Sequence, residues 1–217
     1  MDSANKARLL NKNDRLIIAL DGPSASGKGH IGRLIASRFG LEYFESSRVY
    51  RGLAYLCLQH QLTENNTNEI IALSKKDILL LCKGVDLFRE DIAQMASKVS
   101  VIPEVRANLT SGLRRLISDN YRIIMDGRDI SSVVAPDAHI KIFITAEPKV
   151  RTERRYKQLI SDGKYADKDL ILDALLERDR RDMERNVAPL VAQEEAIVID
   201  TTKLSPDEVI NEIITRV

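Results

Sequence analysis

Seven residues, Gly22-Pro-Ser-Ala-Ser-Gly27-Lys28, have the spacing of a phosphate-binding loop: glycine, four residues, glycine, lysine. The glycines let the backbone turn its N–H groups inward as a nest for an anion, and Lys28 can reach the β and γ phosphates of a nucleotide. A glycine turn beside a solvated lysine could match this spacing by chance. The flanks argue otherwise: the apolar run Arg15 to Leu20 precedes the loop, and Ile31, Leu34, Ile35 and Phe39 follow it at helical spacing up to Gly40. Buried strand, glycine loop and helix is the order in which such a loop works. One feature is unusual. The hydroxyl residue expected next to the lysine is missing, and Gly29 and His30 stand there instead.

Four further segments carry cations that a scaffold alone does not need. ESSRVYR holds Ser46, Tyr50 and Arg51; ASKVSVIPEVR holds Ser97 and Arg106; DGRD holds Arg128 and Asp129; ERDRRDMERNVAPL holds Arg178, Arg181 and Arg185 at i, i+3, i+7, one face of a helix. Singly, each has a plain explanation, a solvated face laced with weak ion pairs or a local structural pair. Gathered around a phosphate loop, they suit phosphoryl transfer. That chemistry needs two anions brought into line and the developing charge stabilised, with little acid–base help.

The elements that must position these groups follow an alternating pattern. Strands are expected at Arg15–Leu20, Leu41–Phe44, Tyr121–Asp126, Ile140–Thr145 and Ala196–Asp200, with helices between them and a polar leader before the first. Such alternation predicts a parallel α/β sheet, whose ligands bind at the carboxyl ends of the strands. There the chain places Asp21-Gly22, Glu45-Ser46 and Asp126-Gly127-Arg128-Asp129. Ser205 and Pro206 read as the cap and first residue of a last helix.

Composition sets the outer bounds. The 217 residues fit one domain with a small insertion or lid, and 44% apolar with 30% charged residues is ordinary for a soluble globular chain. Lys plus Arg total 33 against 32 acidic residues, a net charge of +1, which argues against coating nucleic acid or an anionic membrane. No apolar run approaches the roughly 20 residues that span a bilayer, and the first residues carry no secretory pattern. Cys57 and Cys82 are expected as buried thiols rather than a disulfide, which with the rest suggests a cytoplasmic monomer.

Together these segments resemble bacterial cytidylate kinase, over about Leu16 to Val217. DGPSASGKG, the YR pair after the second strand, S…PxVR, DGRDI…VVAPDAHIKIFITA, RRYKQL and ERDRRD…VAPL carry the likeness. It implies a three-layer P-loop fold with a central five-stranded parallel sheet, and transfer of the γ-phosphoryl of ATP to CMP or dCMP. The core would cover about 15–60, 103–150 and 186–217, a monophosphate-binding insertion about 61–102, and a helical lid about 151–185. The implied donor site is Gly22, Pro23, Ser24, Ala25, Ser26, Gly27, Lys28, Gly29 and His30 with Arg154 and Arg155, and Arg151 flanks the lid. Ser46, Arg51 and Arg128 would hold the acceptor phosphate, and Ser97, Arg106 and Asp129 would read cytosine. Arg178 and Asp182 would touch the sugar, and Arg185 would lie near the base and the transferring phosphoryl. Lys28, Arg128 and Arg185 are the implied catalytic cations, with Mg²⁺ held through nucleotide phosphates and water.

The chain departs from that family pattern at three places. His30 replaces the hydroxyl residue that follows Gly-Lys-Gly, offering a ring N–H and a larger volume, so donor binding should rest on backbone groups and Lys28. Arg48 stands near the acceptor site where a small residue is usual and is expected to point to solvent. Residues 61–94 are short beside longer bacterial forms, leaving the choice between CMP and dCMP, and the strictness against UMP, open. Two other readings compete: a broader UMP/CMP or AMP kinase, and a nucleotide-binding module without catalysis, for which His30 and Arg48 are the only support.

Overall fold

The computed structural model describes residues 3–217. Helix α1 (Ser3–Leu10) leads into strand β1 (Leu16–Asp21), α2 (Lys28–Phe39) and β2 (Glu42–Glu45). Helices α3 (Ser47–Gln59), α4 (Thr67–Ser74), α5 (Ile78–Leu81), α6 (Glu90–Val99) and α7 (Pro103–Asp119) follow. Strand β3 (Arg122–Gly127), a π-helical turn (Ile130–Val134) and β4 (Ile140–Thr145) return to the sheet. The chain closes with α8 (Pro148–Ser161), α9 (Lys168–Glu184), β5 (Ile197–Asp200) and α10 (Pro206–Arg216). Among the described residues no helix is long and apolar enough to cross a membrane.

The sheet order is β2-β3-β1-β4-β5, and β1 runs parallel to both β3 and β4, as β4 does to β5. The order reverses beside β1, so the crevice for ligands opens where β1 and β3 end. Register brings Leu20 opposite Asp126 and Asp21 opposite Gly127 at that edge. All six residues of β1 and of β3 are buried, as expected of central strands covered on both faces. Leu16, Ile18 and Leu20 pack with Ile31, Ile35 and Phe39 of α2 and with Val209, Ile210 and Ile213 of α10. Each such fully buried side chain contributes about 1.5–3 kcal/mol. Ser205 closes a reciprocal capping box with Glu208 and so fixes where α10 starts.

The chain divides into two compact units, one running to Phe44 and resuming at Asn120, the other Glu45–Asp119. In the second, α3 packs on α4, α5 and α6, and α4 on α7. Cys57 and Cys82 are buried there as free thiols, and burial pushes the Cys57 thiol up to about 11.

The polar leader expected before β1 contains a helix instead, and the reason lies in two residues. Leu9 of α1 is 1% exposed in the main core. Arg122, buried at the start of β3, donates to the carbonyls of Arg8, Leu9, Asn11 and Asp14 and to those of Phe39 and Gly40. One guanidinium thus closes the carboxyl ends of both α1 and α2, where carbonyls lack intrahelical partners and a cation meets the negative end of the dipole. Replacing it with Met strands those carbonyls. We expect Arg122→Met to cost about 3 kcal/mol in urea unfolding and to open residues 8–14 to protease; an unchanged midpoint would remove this role.

Candidate active site

The loop between β1 and α2 is shaped by its carbonyls. Gly22 adopts φ 151°, and a Cβ there would lie 2.0 Å from the Ile144 carbonyl oxygen, so the chain can leave β1 only through glycine. Ala25 holds a left-handed φ of 58°, a strained conformation for a residue with a Cβ. Lys28 Nζ donates to Pro23 O (3.2 Å), Arg151 to Ser24 O (3.1 Å) and Arg154 to Ser26 O (2.9 Å). In a planar trans peptide the N–H points opposite to its carbonyl. Tying back the Ser24 and Ser26 carbonyls therefore turns the N–H groups of Ala25 and Gly27 the other way, the geometry of an anion nest ahead of a helix N-terminus.

Two arginines of α8 hold that loop to the rest of its unit. Arg151, 4% exposed, also donates to Ala146 O (2.9 Å) and pairs at 2.6 Å with Asp179 on α9. Arg154 donates to both the carbonyl (2.7 Å) and the hydroxyl (3.0 Å) of Thr201, which follows β5. Burial holds the Arg154 guanidinium below its ordinary value, and the charge of Asp200 opposes this. Ala25, Ser26, Gly27, His30, Arg154 and Arg155 line one cavity of about 370 Å³ together with Thr201, Leu204, Pro206 and Val209. His30 is exposed at its edge. Ser26 Oγ is buried there without a hydrogen-bond partner.

Lys28 is also 3.7 Å from Asp126 at the end of β3, whose other oxygen accepts from Tyr43 (2.9 Å). This pair accounts for Gly29. A Cβ at position 29 would sit 3.3 Å from the Tyr43 hydroxyl and 3.4 Å from Asp126 Oδ2. The residue after the lysine is therefore small because a carboxylate and a phenol already close over it.

Past β3, the DGRD segment is set by Asp21. Its carboxylate accepts from Ile130 N (2.8 Å), Ser131 N (2.7 Å) and Ser131 Oγ (2.6 Å), tying the π-helical turn to the end of β1. Burial raises the Asp21 carboxyl above its usual range, and these hydrogen bonds work against that shift. Asp129 precedes the turn, 5% exposed, with Oδ1 3.7 Å from Arg185. Arg128 Nε donates to Asp182 (3.0 Å) and Arg185 approaches the same carboxylate at 3.8 Å. Burial drives the Asp182 carboxyl up, but the charges of Arg128, Arg178 and Arg185 outweigh it and hold the group below its ordinary value.

Asp182 is thus the counter-ion that lets three arginines share one place. Arg181, expected on the same face, is exposed and pairs with Glu177 instead. The helix ends at Glu184, and Arg185 leaves it with extended dihedrals, its Nε donating to Ala188 O (2.6 Å). The i, i+3, i+7 face does not survive a helix end.

The second unit holds Ser46, Arg51, Ser97 and Arg106. Ser46 is buried at the cap of α3. Arg51 donates to Leu87 O (3.1 Å) and lies 5.2 Å from the Phe88 ring. Arg106, 4% exposed, donates to Ser100 O (3.1 Å) and lies 5.4 Å from the Tyr50 ring. Arg48 is exposed, as expected. Asp126, Tyr43, Thr201 and the positioning carboxylate Asp21 were not singled out from the sequence as site residues. Strand-end position had already placed Asp21 and Asp126 beside the ligand crevice, without a role for either carboxylate.

A glycine loop between a buried strand and a helix, its lysine beside a carboxylate on the neighbouring strand, defines a P-loop nucleotide-binding fold. Solved structures agree at the level of the fold. An uncharacterized protein from Eubacterium ventriosum superposes with a TM-score of 0.56 at 16% identity, covering 94% of this chain and 98% of that one. A gluconokinase from Sinorhizobium meliloti gives 0.51 at 12% identity, covering 93% and 90%. Sequence comparison is more specific. A family model described as cytidylate kinase matches residues 18–217. A cytidylate kinase of Rickettsia canadensis is 50% identical over 213 residues, 98% of this chain and 96% of that protein. One of Rickettsia felis is 48% identical over 208 residues, covering 96% and 94%. The chain belongs to the cytidylate kinase family.

Asp182 gives a pH-dependent prediction. A carboxyl held below its ordinary value adds stability at pH above its unfolded value and loses it as pH falls through the folded one. Asp182→Asn should cost about 3 kcal/mol at pH 7, because it removes the anion that Arg128, Arg178 and Arg185 share, and less near pH 3, below the unfolded value. Thermal unfolding at the two pH values checks this; an equal loss at both would contradict it.

Proposed function

We propose that this protein transfers the γ-phosphoryl group of ATP to CMP or dCMP, giving ADP and the pyrimidine diphosphate. The observation that carries the reading is the buried Asp129 carboxylate at the end of β3, beside Arg185 and next in sequence to the Arg128–Asp182 pair. Family membership supports it.

The donor enters the cavity beside the glycine loop. Backbone N–H groups of residues 25–27 and Lys28 take its phosphates, with Lys28 exchanging the Pro23 carbonyl for a phosphate oxygen. Arg154 and Arg155 line the donor cavity from α8. Mg²⁺, which keeps most of its own waters, suits a buried hard carboxylate beside the phosphate-binding lysine, and Asp126 would meet its water shell. When bound, the ion neutralises part of the polyphosphate charge.

On the acceptor, Ser46, Arg51 and Arg128 take the phosphate, Arg178 and Asp182 the sugar, and Ser97, Arg106 and Asp129 the base. Cytosine offers a donor at its exocyclic amine and acceptors at N3 and O2. A carboxylate at Asp129 would suit the amine, and the Arg and Ser donors would suit the acceptors. Uracil inverts the first two, leaving buried groups unpaired. Arg185, balanced at rest by Asp182 and Asp129, would stabilise the charge that develops on the phosphoryl in flight. No step needs a general base. Leu204, Pro206 and Val209 add apolar surface to the donor cavity. The free, buried Cys57 and Cys82 suit a reducing compartment, and a cytoplasmic monomer in pyrimidine nucleotide metabolism is the simplest setting.

Steady-state kinetics with CMP and UMP tests the base assignment. Asp129→Ala should lower kcat/KM for CMP at least tenfold more than for UMP, by about 1.4 kcal/mol or more of lost discrimination. Equal losses for both would remove Asp129 from base reading.

A further inference from the structure

We propose that Phe88 is a positioning residue for acceptor binding: with the Leu87 carbonyl, its ring sets the direction in which Arg51 presents its guanidinium. The inference rests on the reading of Arg51 as an acceptor-phosphate ligand and adds the residue through which that contact is controlled.

The segment before α6 is built to hold this ring in place. Leu87 is 3% exposed and anchors it in the second unit. The Asp86 carboxylate accepts from Phe88 N at 2.9 Å, a side-chain turn that sets the backbone direction at the next residues. Phe88 itself is 50% exposed. Burial of apolar surface does not explain a phenyl ring held half in water. What the ring does touch is the Arg51 guanidinium, 5.2 Å from its centroid, while Arg51 NH1 donates to Leu87 O at 3.1 Å. Adjacent residues therefore grip one cation from two directions.

The same device recurs in that unit. Arg106 donates to Ser100 O and lies over Tyr50, the residue next to Arg51. A carbonyl and an aromatic face share one property that a carboxylate lacks. Both orient a guanidinium without themselves adding a formal charge beside it. An arginine held this way loses less freedom on binding, which is preorganisation in the ordinary sense.

The test measures steady-state kinetics with CMP and ATP for Phe88→Ala, Phe88→Leu and Phe88→Tyr, each alone and with Arg51→Ala. Loss of the ring should raise KM for CMP about fivefold, equivalent to about 1 kcal/mol at 1.4 kcal/mol per tenfold, with KM for ATP moving less than about twofold. Phe88→Tyr keeps the aromatic face and should behave as the parent, whereas Phe88→Leu should match Phe88→Ala. In the Arg51→Ala background, removing the ring should add less than about twofold, since its partner is gone. The proposal fails if Phe88→Leu equals the parent, because aliphatic packing would then suffice. It also fails if the ring matters equally without Arg51. If Arg51→Ala itself leaves KM for CMP unchanged, the acceptor-phosphate reading falls, an outcome distinct from a silent Phe88. Urea unfolding of Phe88→Ala should match the parent, as expected for a half-exposed ring.

Discussion

Binding a phosphorylated ligand requires cations held ready before the phosphate arrives. Like charges must be kept apart and desolvated guanidinium groups must stay hydrogen-bonded. Backbone carbonyls meet part of this constraint. Lys28 rests on Pro23 O, Arg151 on Ala146 O and Ser24 O, and Arg154 on Ser26 O and Thr201 O. Arg51 rests on Leu87 O, Arg106 on Ser100 O and Arg185 on Ala188 O. A carbonyl satisfies an N–H without neutralising it, so the positive field persists for the ligand. Carboxylates enter at a few points, Asp126 beside Lys28, Asp182 among three arginines and Asp179 against Arg151. The same contacts shape the loop, since each carbonyl tied back by an arginine turns the next N–H outward. Site and scaffold are therefore held by one set of hydrogen bonds.

This arrangement also explains the loop's unusual sequence. Gly29 is small because Tyr43 and Asp126 occupy the space a side chain would need, and His30 stands at the exposed rim of the donor cavity. Neither change touches the carbonyl ties that orient the nest. The loop quoted as irregular by its residues is regular in the contacts that matter for an anion.

Much of the architecture was legible because its signals are local. Five short apolar runs marked the strands, glycine and proline marked helix ends, and the chain order of loop and arginines followed from spacing. What remained hidden depends on long-range contacts. Helix α1 looks polar, and only Leu9 in the core and Arg122, more than a hundred residues away, show why it is held. The π-helical turn is imposed by Asp21 from another strand. The arginine face of α9 assumed a helix running through Arg185, and periodicity cannot report that the helix stops one residue earlier. For the same reason Phe88 carried no signal in the sequence, since it lies between helices and its partner Arg51 is on α3.

The central claim is that these cations and Asp129 serve phosphoryl transfer to a cytosine nucleotide. The most direct measurement is ADP formation from ATP and Mg²⁺ with CMP, dCMP, UMP and AMP as acceptors. The account predicts turnover with CMP or dCMP at a kcat/KM at least about a hundredfold above UMP and AMP. Equal turnover with all four, or none with nucleotide still bound, would contradict it.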